Sequence, residues 1–376
     1  MLHRTLCLLA LLSLPLLSAC EDAFGGLPAA TGPIAEILVV GDSAMWKGPI
    51  GEAIRAELGQ PIATLPGNQG AFRLRLMPLT GQFQRGIQET RHVVFAAALD
   101  DDTPVAEFIR ARLPEAGQQA IRAGTGAGVY TREDVWARGQ LVTYVTGRDA
   151  ETAAREVLRR GPELRAAYAE LARRATEREM FRRARQTDEE AALMDKHGWA
   201  VNIQHDYVRV QDTTATADGL TGTFVRYRRV LTDTWRDFFV FSAETDNAGL
   251  AQDSAALHRI TDDLLRQFAV GELDGSHVTQ DATRPMRTQT VTLSAFGREA
   301  TETRGIWRMT QDFMAGPYVR YATYDPETRR LFLYYGMVFA PDRRHDKREF
   351  LRQMEVIGHT LRTRAVAERA AQQTDP

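Results

Sequence analysis

The amino-acid sequence predicts an α+β protein with two mixed halves, of which the second is richer in antiparallel strands, and a long helical segment between the halves. In the first half, short apolar runs alternate with segments in which apolar residues recur at helical spacing. Residues 151–196 form a long tract of helical periodicity, and after Gly198 the sequence becomes rich in predicted strands. These observations place a division of the chain near residue 199.

The individual elements follow from the same patterns. The first half is expected to contain strands at 36–40, 71–78, 91–99 and 139–146, and helices at 48–59 and 104–113. The second half is expected to contain strands at 206–212, 223–230, 235–243, 288–296 and 301–309, a helix at 253–268, a hairpin at 316–340 and a final helix at 344–366. Pro326 and Glu327 would form the turn of the hairpin.

The tract between the halves is rich in arginine. Leu164, Tyr168 and Leu171 follow 4,3 spacing, and Gly161-Pro162 predicts a break or bend. Because five glutamates lie between residues 156 and 179, a solvated helix with ion pairs is the favoured interpretation, and a surface for acidic lipid or polysaccharide is the alternative. The arginines are at positions 155, 159, 160, 165, 173, 174, 178, 182, 183 and 185.

The composition is that of an ordinary globular protein. The chain has 376 residues, of which 44% are hydrophobic and 26% charged, and this length favours two domains. The formal net charge is -2, so no general binding to nucleic acid or to anionic membranes is expected, because such binding relies on an excess of lysine and arginine, and any basic surface must be local.

The start of the chain has the features of an export signal. An apolar stretch from Thr5 to Leu17 follows Arg4 and is shorter than the roughly 20 residues that a membrane-spanning helix needs. It ends in Leu17-Ser18-Ala19-Cys20, which resembles the bacterial lipobox. Residues 1–19 are therefore predicted to be a signal peptide, and Cys20 is predicted to become an acylated N-terminus that anchors the chain.

This interpretation sets the compartment. Cys7 lies within the predicted signal, so a mature chain would have neither a disulfide nor a free thiol. Residues 20–33 are predicted to be the lipidated cysteine and a flexible tether with a mean reach of about 20 Å. We expect the protein to be attached to a membrane of the cell envelope through its lipid, with the outer membrane favoured and the body in the periplasm or at the cell surface.

One pattern suggests catalysis. Gly41-Asp42-Ser43 follows the first strand and resembles the first block of GDS-type serine hydrolases, and Asp342 and His345 have the spacing of the acid and base in such enzymes. The Gly-x-Asn-Asp segment of that family is absent from the sequence, and Gly-Asp-Ser is equally a plain strand-to-helix turn. A serine esterase that uses Ser43, Asp342 and His345 is therefore the alternative hypothesis.

No motif indicates a cofactor. His197 and His205, with Asp206, lie where a predicted helix changes to a strand, so no regular element places them on one face, and no metal site is predicted. The sequence has neither a phosphate-binding Gly-x-x-x-x-Gly-Lys loop nor a dinucleotide-binding glycine pattern.

The most unusual segment begins at Arg304 and combines aromatic with charged residues. Arg304, Trp307, Asp312 and Tyr318 are candidate binding residues for a flat or sugar-like ligand, with the aromatic rings as a platform. The favoured alternative is that Trp307, Phe313 and Tyr318 fill the core, because large aromatic residues usually do.

Several runs of residues resemble a known family when they are taken together. They are Arg304-Gly305-Ile306-Trp307, Asp312-Phe313-Met314-Ala315-Gly316-Pro317, Gly336 to Pro341, Lys347-Arg348 and Arg352-Gln353-Met354-Glu355, and in the first half the strand at Glu36, Trp46, Gly48, Gly51, Leu65-Pro66, Phe72, Arg91, Trp136-Ala137 and Gln140. Nearly the whole mature chain is similar to an uncharacterised lipoprotein family of Bacteroidota-type bacteria, a domain of unknown function. That family usually has glycine in place of Ala315 and asparagine in place of His92.

The resemblance implies an envelope lipoprotein and supplies no activity or catalytic residue. We expect a lipid-anchored protein with a body of two halves, residues 34–198 and 199–366, and a tail at 367–376. It would bind another envelope component, protein or glycan, without catalysing a reaction.

Overall fold

The structure is a computed structural model that describes residues 26–67, 69–81, 84–182 and 184–374. The predicted signal peptide and Cys20 lie outside the described residues. The elements of the first half are β1 (Glu36–Val40), α1 (Ser43–Lys47), α2 (Pro49–Leu58), β2 (Arg73–Met77), α3 (Gln84–Glu89), β3 (His92–Ala96), α4 (Pro104–Arg110), α5 (Glu115–Arg122), β4 (Val129–Glu133), β5 (Leu141–Val145) and α6 (Ala150–Phe181). Those of the second half are α7 (Thr187–His197), β6 (Trp199–Ala200), β7 (Val208–Ala217), β8 (Leu220–Val230), β9 (Trp235–Glu244), α8 (Ser254–Phe268), β10 (Val278–Gln280), β11 (Arg287–Leu293), β12 (Arg298–Met309), β13 (Ala315–Asp325), β14 (Arg330–Phe339), α9 (Lys347–His359), β15 (Arg362–Thr363) and α10 (Arg364–Thr374).

The first half is built on a five-stranded sheet with the order β2-β1-β3-β5-β4. β2, β1, β3 and β5 are parallel, and β4 is antiparallel to β5. The apolar sequences of β1 and β3 are buried on both faces, because α2 and α6 cover one face of the sheet and α4 covers the other.

Helix α6 runs without interruption through Pro162, so of the predicted break or bend at Gly161-Pro162 the break is wrong. Proline removes one backbone hydrogen bond, at a cost of about 3 kcal/mol, but Val157 and Leu164 on either side of it are buried in the same core. Gly161 allows close contact with α2, since a Cβ at this position would lie 1.9 Å from a carboxylate oxygen of Glu57. The helical tract is interrupted instead between α6 and α7.

The second half is built on an antiparallel sheet with the order β10-β12-β13-β14-β9-β8-β7, and β11 also pairs with β12. Helix α8 packs on one face of this sheet, and α9 packs on the other face with α7 and β6. The two halves meet where α9 lies against α6. Arg173 of α6 donates a hydrogen bond to Ser294 Oγ over 2.9 Å, and Thr176 of α6 donates one to Glu349 of α9 over 3.2 Å.

The predicted fold class is confirmed, and so is the hairpin, whose strands β13 and β14 are joined through Pro326 and Glu327. The final helix was expected to continue to residue 366, but α9 ends at His359, and α10 occupies most of the predicted tail. Residues 28–31 of the predicted tether hydrogen-bond to the body: Ala30 N donates to the carbonyl of Arg138 over 2.9 Å. Within the described residues, no helix has both the length and the apolar character needed to cross a membrane.

Candidate functional site: a cavity between the two halves

The structure does not bring the candidate catalytic residues together. Ser43 is the first residue of α1, directly beyond the carboxyl end of β1. The backbone of His345 lies near the amino end of β2, where its carbonyl accepts a hydrogen bond from Gln69 Nε2 over 2.9 Å. β1 and β2 are parallel and in register, and five residues of strand span about 16 Å. Ser43 therefore lies toward the carboxyl ends of these strands, and His345 lies toward their amino ends.

Asp342 is likewise occupied by another partner. Its carboxylate accepts hydrogen bonds from the guanidinium and the backbone N–H of Arg344, the closest over 2.6 Å, and these bonds hold the pKa of Asp342 below its usual range. The ring of His345 lies beside Phe350, with 6.0 Å between the ring centroids. The three residues therefore do not form a triad in this structure.

The four candidate binding residues are also separated. Trp307 and Tyr318 are buried in the core that faces α8, and Trp307 Nε1 donates to the carbonyl of Val338 over 3.1 Å. Asp312 accepts a hydrogen bond from Ser276 Oγ over 2.5 Å, at the end of a loop. The expectation that Phe313 fills the core is wrong, because its side chain is fully exposed.

Arg304, on the opposite face of β12, lines a cavity between the two halves, which we call the interface cavity. Its volume is about 270 Å³, just below the usual range for ligand sites. One wall comes from residues 60–64 and 71–72 and from α6, and the other comes from β11, β12 and α9. Its charged lining residues are Arg165, Arg287, Arg304, Arg348, Arg352, Glu302 and Glu355.

Helix α9 supplies three of these residues from one face. Arg348, Arg352 and Glu355 are spaced four and three residues apart, which places their side chains in a row. Arg348 donates to the carbonyl of Gly70 over 2.8 Å and to Asp346 over 2.6 Å, but its buried Nε has no hydrogen-bond partner among the described residues. Arg352 donates to Glu349 over 2.7 Å. These hydrogen bonds hold both side chains in place. Because each guanidinium has five N–H donors, each side chain also keeps donors that these bonds do not use.

The carboxylates of the cavity are largely neutralised by Arg304. Glu302 accepts two hydrogen bonds from Arg304, each over 2.8 Å, one from Gln289 over 2.8 Å, and one from Tyr321 over 3.0 Å. Burial alone would raise the pKa of Glu302, but Arg304 and these hydrogen bonds lower it, so the group is a carboxylate at neutral pH. Arg304 also forms an ion pair with Glu355.

Arg287 contributes a guanidinium group that forms no ion pair with Glu302 or Glu355. It lies directly opposite Arg304 in the β11–β12 ladder, and it has no ion pair or hydrogen bond to any residue that the structure describes. The remaining wall is apolar and includes Ile62, Phe72 and Leu351. The cavity thus offers spare guanidinium donors beside an apolar surface, which suits an organic anion.

The described residues of the cavity lining include no serine, cysteine or histidine. Within the described part of the chain, no group of three or more His, Cys, Asp and Glu residues is arranged to hold a metal ion. His197 Nε2 lies 3.1 Å from Asp212, and Asp206 pairs with Arg229 over 2.6 Å, so His197 and Asp206 each have another polar partner.

The sequence indicates Arg304 as a candidate binding residue but not the rest of the cavity. Arg348, Arg352 and Glu355 appear in the sequence only as part of the family resemblance. Their i, i+4, i+7 spacing on a predicted amphipathic helix was the available signal, because it places two cations on the side of the helix that also carries Leu351.

The described geometry defines a two-part α+β protein with an arginine-lined cavity between its parts. Residues 185–360 match a family model described as a domain of unknown function (DUF4837), and residues 30–181 match another described as a domain of unknown function (DUF8532). The two matched ranges meet at the end of α6, so α7 belongs to the second matched range, whereas the sequence prediction places the division near residue 199. No curated protein and no solved structure matches the chain.

Proposed function

We propose that this chain is a lipid-anchored lipoprotein of the cell envelope whose body binds a small organic anion in the interface cavity, without catalysis. The observation that carries the binding role is Arg348, which is buried against the other half of the protein and keeps an Nε donor without a partner in the described residues. A buried N–H that lacks a partner costs about 1 to 3 kcal/mol, and an anionic ligand would remove that cost.

The chemistry of the walls indicates the ligand class. A phosphate or carboxylate group would meet Arg348, Arg352 and Arg287, and an apolar part would lie against Phe72 and Leu351. An envelope protein or glycan that presents such a group fits the partner expected from the sequence. The serine esterase hypothesis gains no support, since Ser43 and His345 lie toward opposite ends of the strands in the first sheet.

Titration calorimetry with phenyl phosphate tests the binding role. We expect the chain from residue 21 to 376 to bind phenyl phosphate and not phenol, which lacks the charge. Arg352→Gln should weaken binding about tenfold or more, the effect of losing a charged hydrogen bond. The matched control is Arg259→Gln on α8, a half-exposed arginine on the far side of the second sheet. Equal binding of phenol, or unchanged affinity in Arg352→Gln, would contradict the proposal.

A further inference from the structure

A second arginine-rich pocket lies on the first half, at the point where the N-terminal segment joins the body. We call it the tether-side pocket, and its volume is about 640 Å³. Five guanidinium groups and three carboxylates line it, so its local charge is positive. They belong to Arg91, Arg138, Arg174, Arg178, Arg182, Glu133, Asp134 and Glu179.

The carboxylates of this pocket do not satisfy all of its guanidinium N–H donors. Arg91 is 9% exposed, its closest approach to Glu179 is 3.8 Å, and its buried Nε has no hydrogen-bond partner among the described residues. Asp134 accepts a hydrogen bond from the backbone of Gly139 over 2.6 Å, which turns this carboxylate toward its own loop.

Two further arginines are exposed at the carboxyl end of α6, Arg178 in its last turn and Arg182 directly after its last residue. Arg178 and Arg182 line the pocket and have no ion pair or hydrogen bond to any residue in the described ranges. The guanidinium of Arg178 lies against Gly139, whose φ is +77° and where a Cβ would come within 3.0 Å of Arg178 Nη2. Arg174 is the partly neutralised member, because it pairs with Glu133 over 3.2 Å.

The position of the pocket relates it to the membrane. Ala29 and Ala30 form part of its lining, and backbone hydrogen bonds on either side of Ala29 fix this segment: Ala30 N donates to the carbonyl of Arg138 over 2.9 Å, and Arg138 N donates to the carbonyl of Pro28 over 2.7 Å. Ala29 follows Cys20 by nine positions, and nine residues of extended chain span at most about 30 Å. If Cys20 is acylated, as the proposed function states, the pocket lies within reach of the lipid headgroups.

We propose that the tether-side pocket binds the phosphate of an anionic phospholipid and so orients the body on the membrane. Guanidinium groups bind phosphate oxygens through paired N–H donors, and each arginine near an anionic membrane surface adds to the attraction. This site takes a headgroup phosphate from the bilayer, whereas the interface cavity takes a soluble or partner-borne anion. The choice of a lipid as the occupant rests on the proposed anchor.

Vesicle co-sedimentation tests the proposal with the chain from residue 21 to 376, which includes every residue that the structure describes and lacks the acylated cysteine. We expect binding to phosphatidylcholine vesicles that contain phosphatidylglycerol, little binding to phosphatidylcholine alone, and weaker binding as salt is raised. The double change Arg178→Gln with Arg182→Gln should weaken binding about tenfold or more, and circular dichroism should show the same fold because both side chains are exposed. Arg259→Gln should bind like the unchanged chain.

Three results would overturn the proposal: no preference for phosphatidylglycerol, equal binding by the double variant, or binding of inorganic phosphate without binding of vesicles. The last result would assign the pocket to a free anion. Because the chain used has no acyl group, these outcomes are independent of whether Cys20 is acylated and of whether the interface cavity binds phenyl phosphate.

Discussion

Arg348 Nη1, in the second half of the protein, donates a hydrogen bond to the backbone carbonyl of Gly70, in the first half, over 2.8 Å. The backbone N–H of Arg348 donates to Gln69 Oε1 over 3.1 Å, and Gln69 Nε2 donates in turn to the carbonyl of His345. The first turn of α9 is thereby held against the loop that precedes β2. Since Arg348 also lines the interface cavity, the packing of the halves and the shape of the cavity depend on the same contacts.

Gln69→Ala should weaken the attachment between the halves. The change removes one donor and one acceptor that bridge them, so we expect the free energy of unfolding in urea to fall by about 1 to 3 kcal/mol. The matched control is Gln119→Ala, whose exposed side chain makes one hydrogen bond of 3.4 Å within its own helix. Equal stabilities of the two variants would show that the Gln69 contacts do not hold the halves together.

Trp307→Ala should destabilise the second half. The side chain is fully buried and its ring lies against Trp235, with 5.3 Å between centroids, so its removal leaves a large cavity. We expect a loss of about 3 to 5 kcal/mol in the free energy of unfolding. Phe313→Ala, a change at a fully exposed ring, should cost less than about 0.5 kcal/mol. A small loss in Trp307→Ala would mean that the ring serves a ligand rather than the core.

His92 should make stability depend on pH. Burial, with nearby Arg91, lowers its pKa from 6.5 to about 3, and its Nε2 donates to the carbonyl of Ile34 over 3.0 Å. Below about pH 6.5 the unfolded chain binds a proton at His92 that the folded chain does not bind. The free energy of unfolding should therefore fall as pH decreases toward 3, by up to about 1.4 kcal/mol per pH unit.

Urea titrations at about pH 7 and about pH 5 measure this dependence. His92→Asn places the amide that the resembled family usually has here, and it should lose less stability over that interval than the unchanged chain. Burial also lowers the pKa of His359, to about 4, but His359 is present in both proteins and cancels in the comparison. The control His205→Asn, at an exposed position, should keep the full dependence. An equal dependence in His92→Asn would exclude His92 as its source.

The fold was predictable where a segment carries its own signal. β1 and β3 are continuous apolar runs, and both arms of the β13–β14 hairpin are rich in aromatic residues. β4 was missed because it is short and ends in exposed polar residues, and it forms through its pairing with β5. The course of α6 through Pro162 depends on tertiary packing, which local propensity does not record.

The interface cavity could not be predicted because residues far apart in the chain create it. Gly70 and Arg348 meet only after both halves have folded and α9 has packed against α6. Arg304 stood out in the sequence because of its aromatic neighbours, yet Trp307 and Tyr318 lie on the opposite face of the sheet. Strand periodicity already separates residues 304 and 307 onto different faces, and this signal would have divided the candidate set.

Acylation of Cys20 is tested by growing cells with radioactive palmitate. We expect label in the unchanged protein and none in Cys20→Ala, because the lipobox cysteine is the predicted acceptor. Cys7→Ala changes the only other cysteine and should keep the label, since Cys7 lies within the predicted signal peptide. Label that persists in Cys20→Ala would contradict the anchor and, with it, the membrane position of the tether-side pocket.

The most direct test of the central claim is diffraction at the bromine absorption edge from crystals of the chain from residue 21 to 376 soaked with p-bromophenyl phosphate. We predict a bromine peak against Phe72 and Leu351, with the phosphate within hydrogen-bond distance of Arg348 Nε and Arg352. An interface cavity without bromine at a saturating concentration, or bromine only at other sites, would contradict the claim that the two halves enclose an anion-binding site.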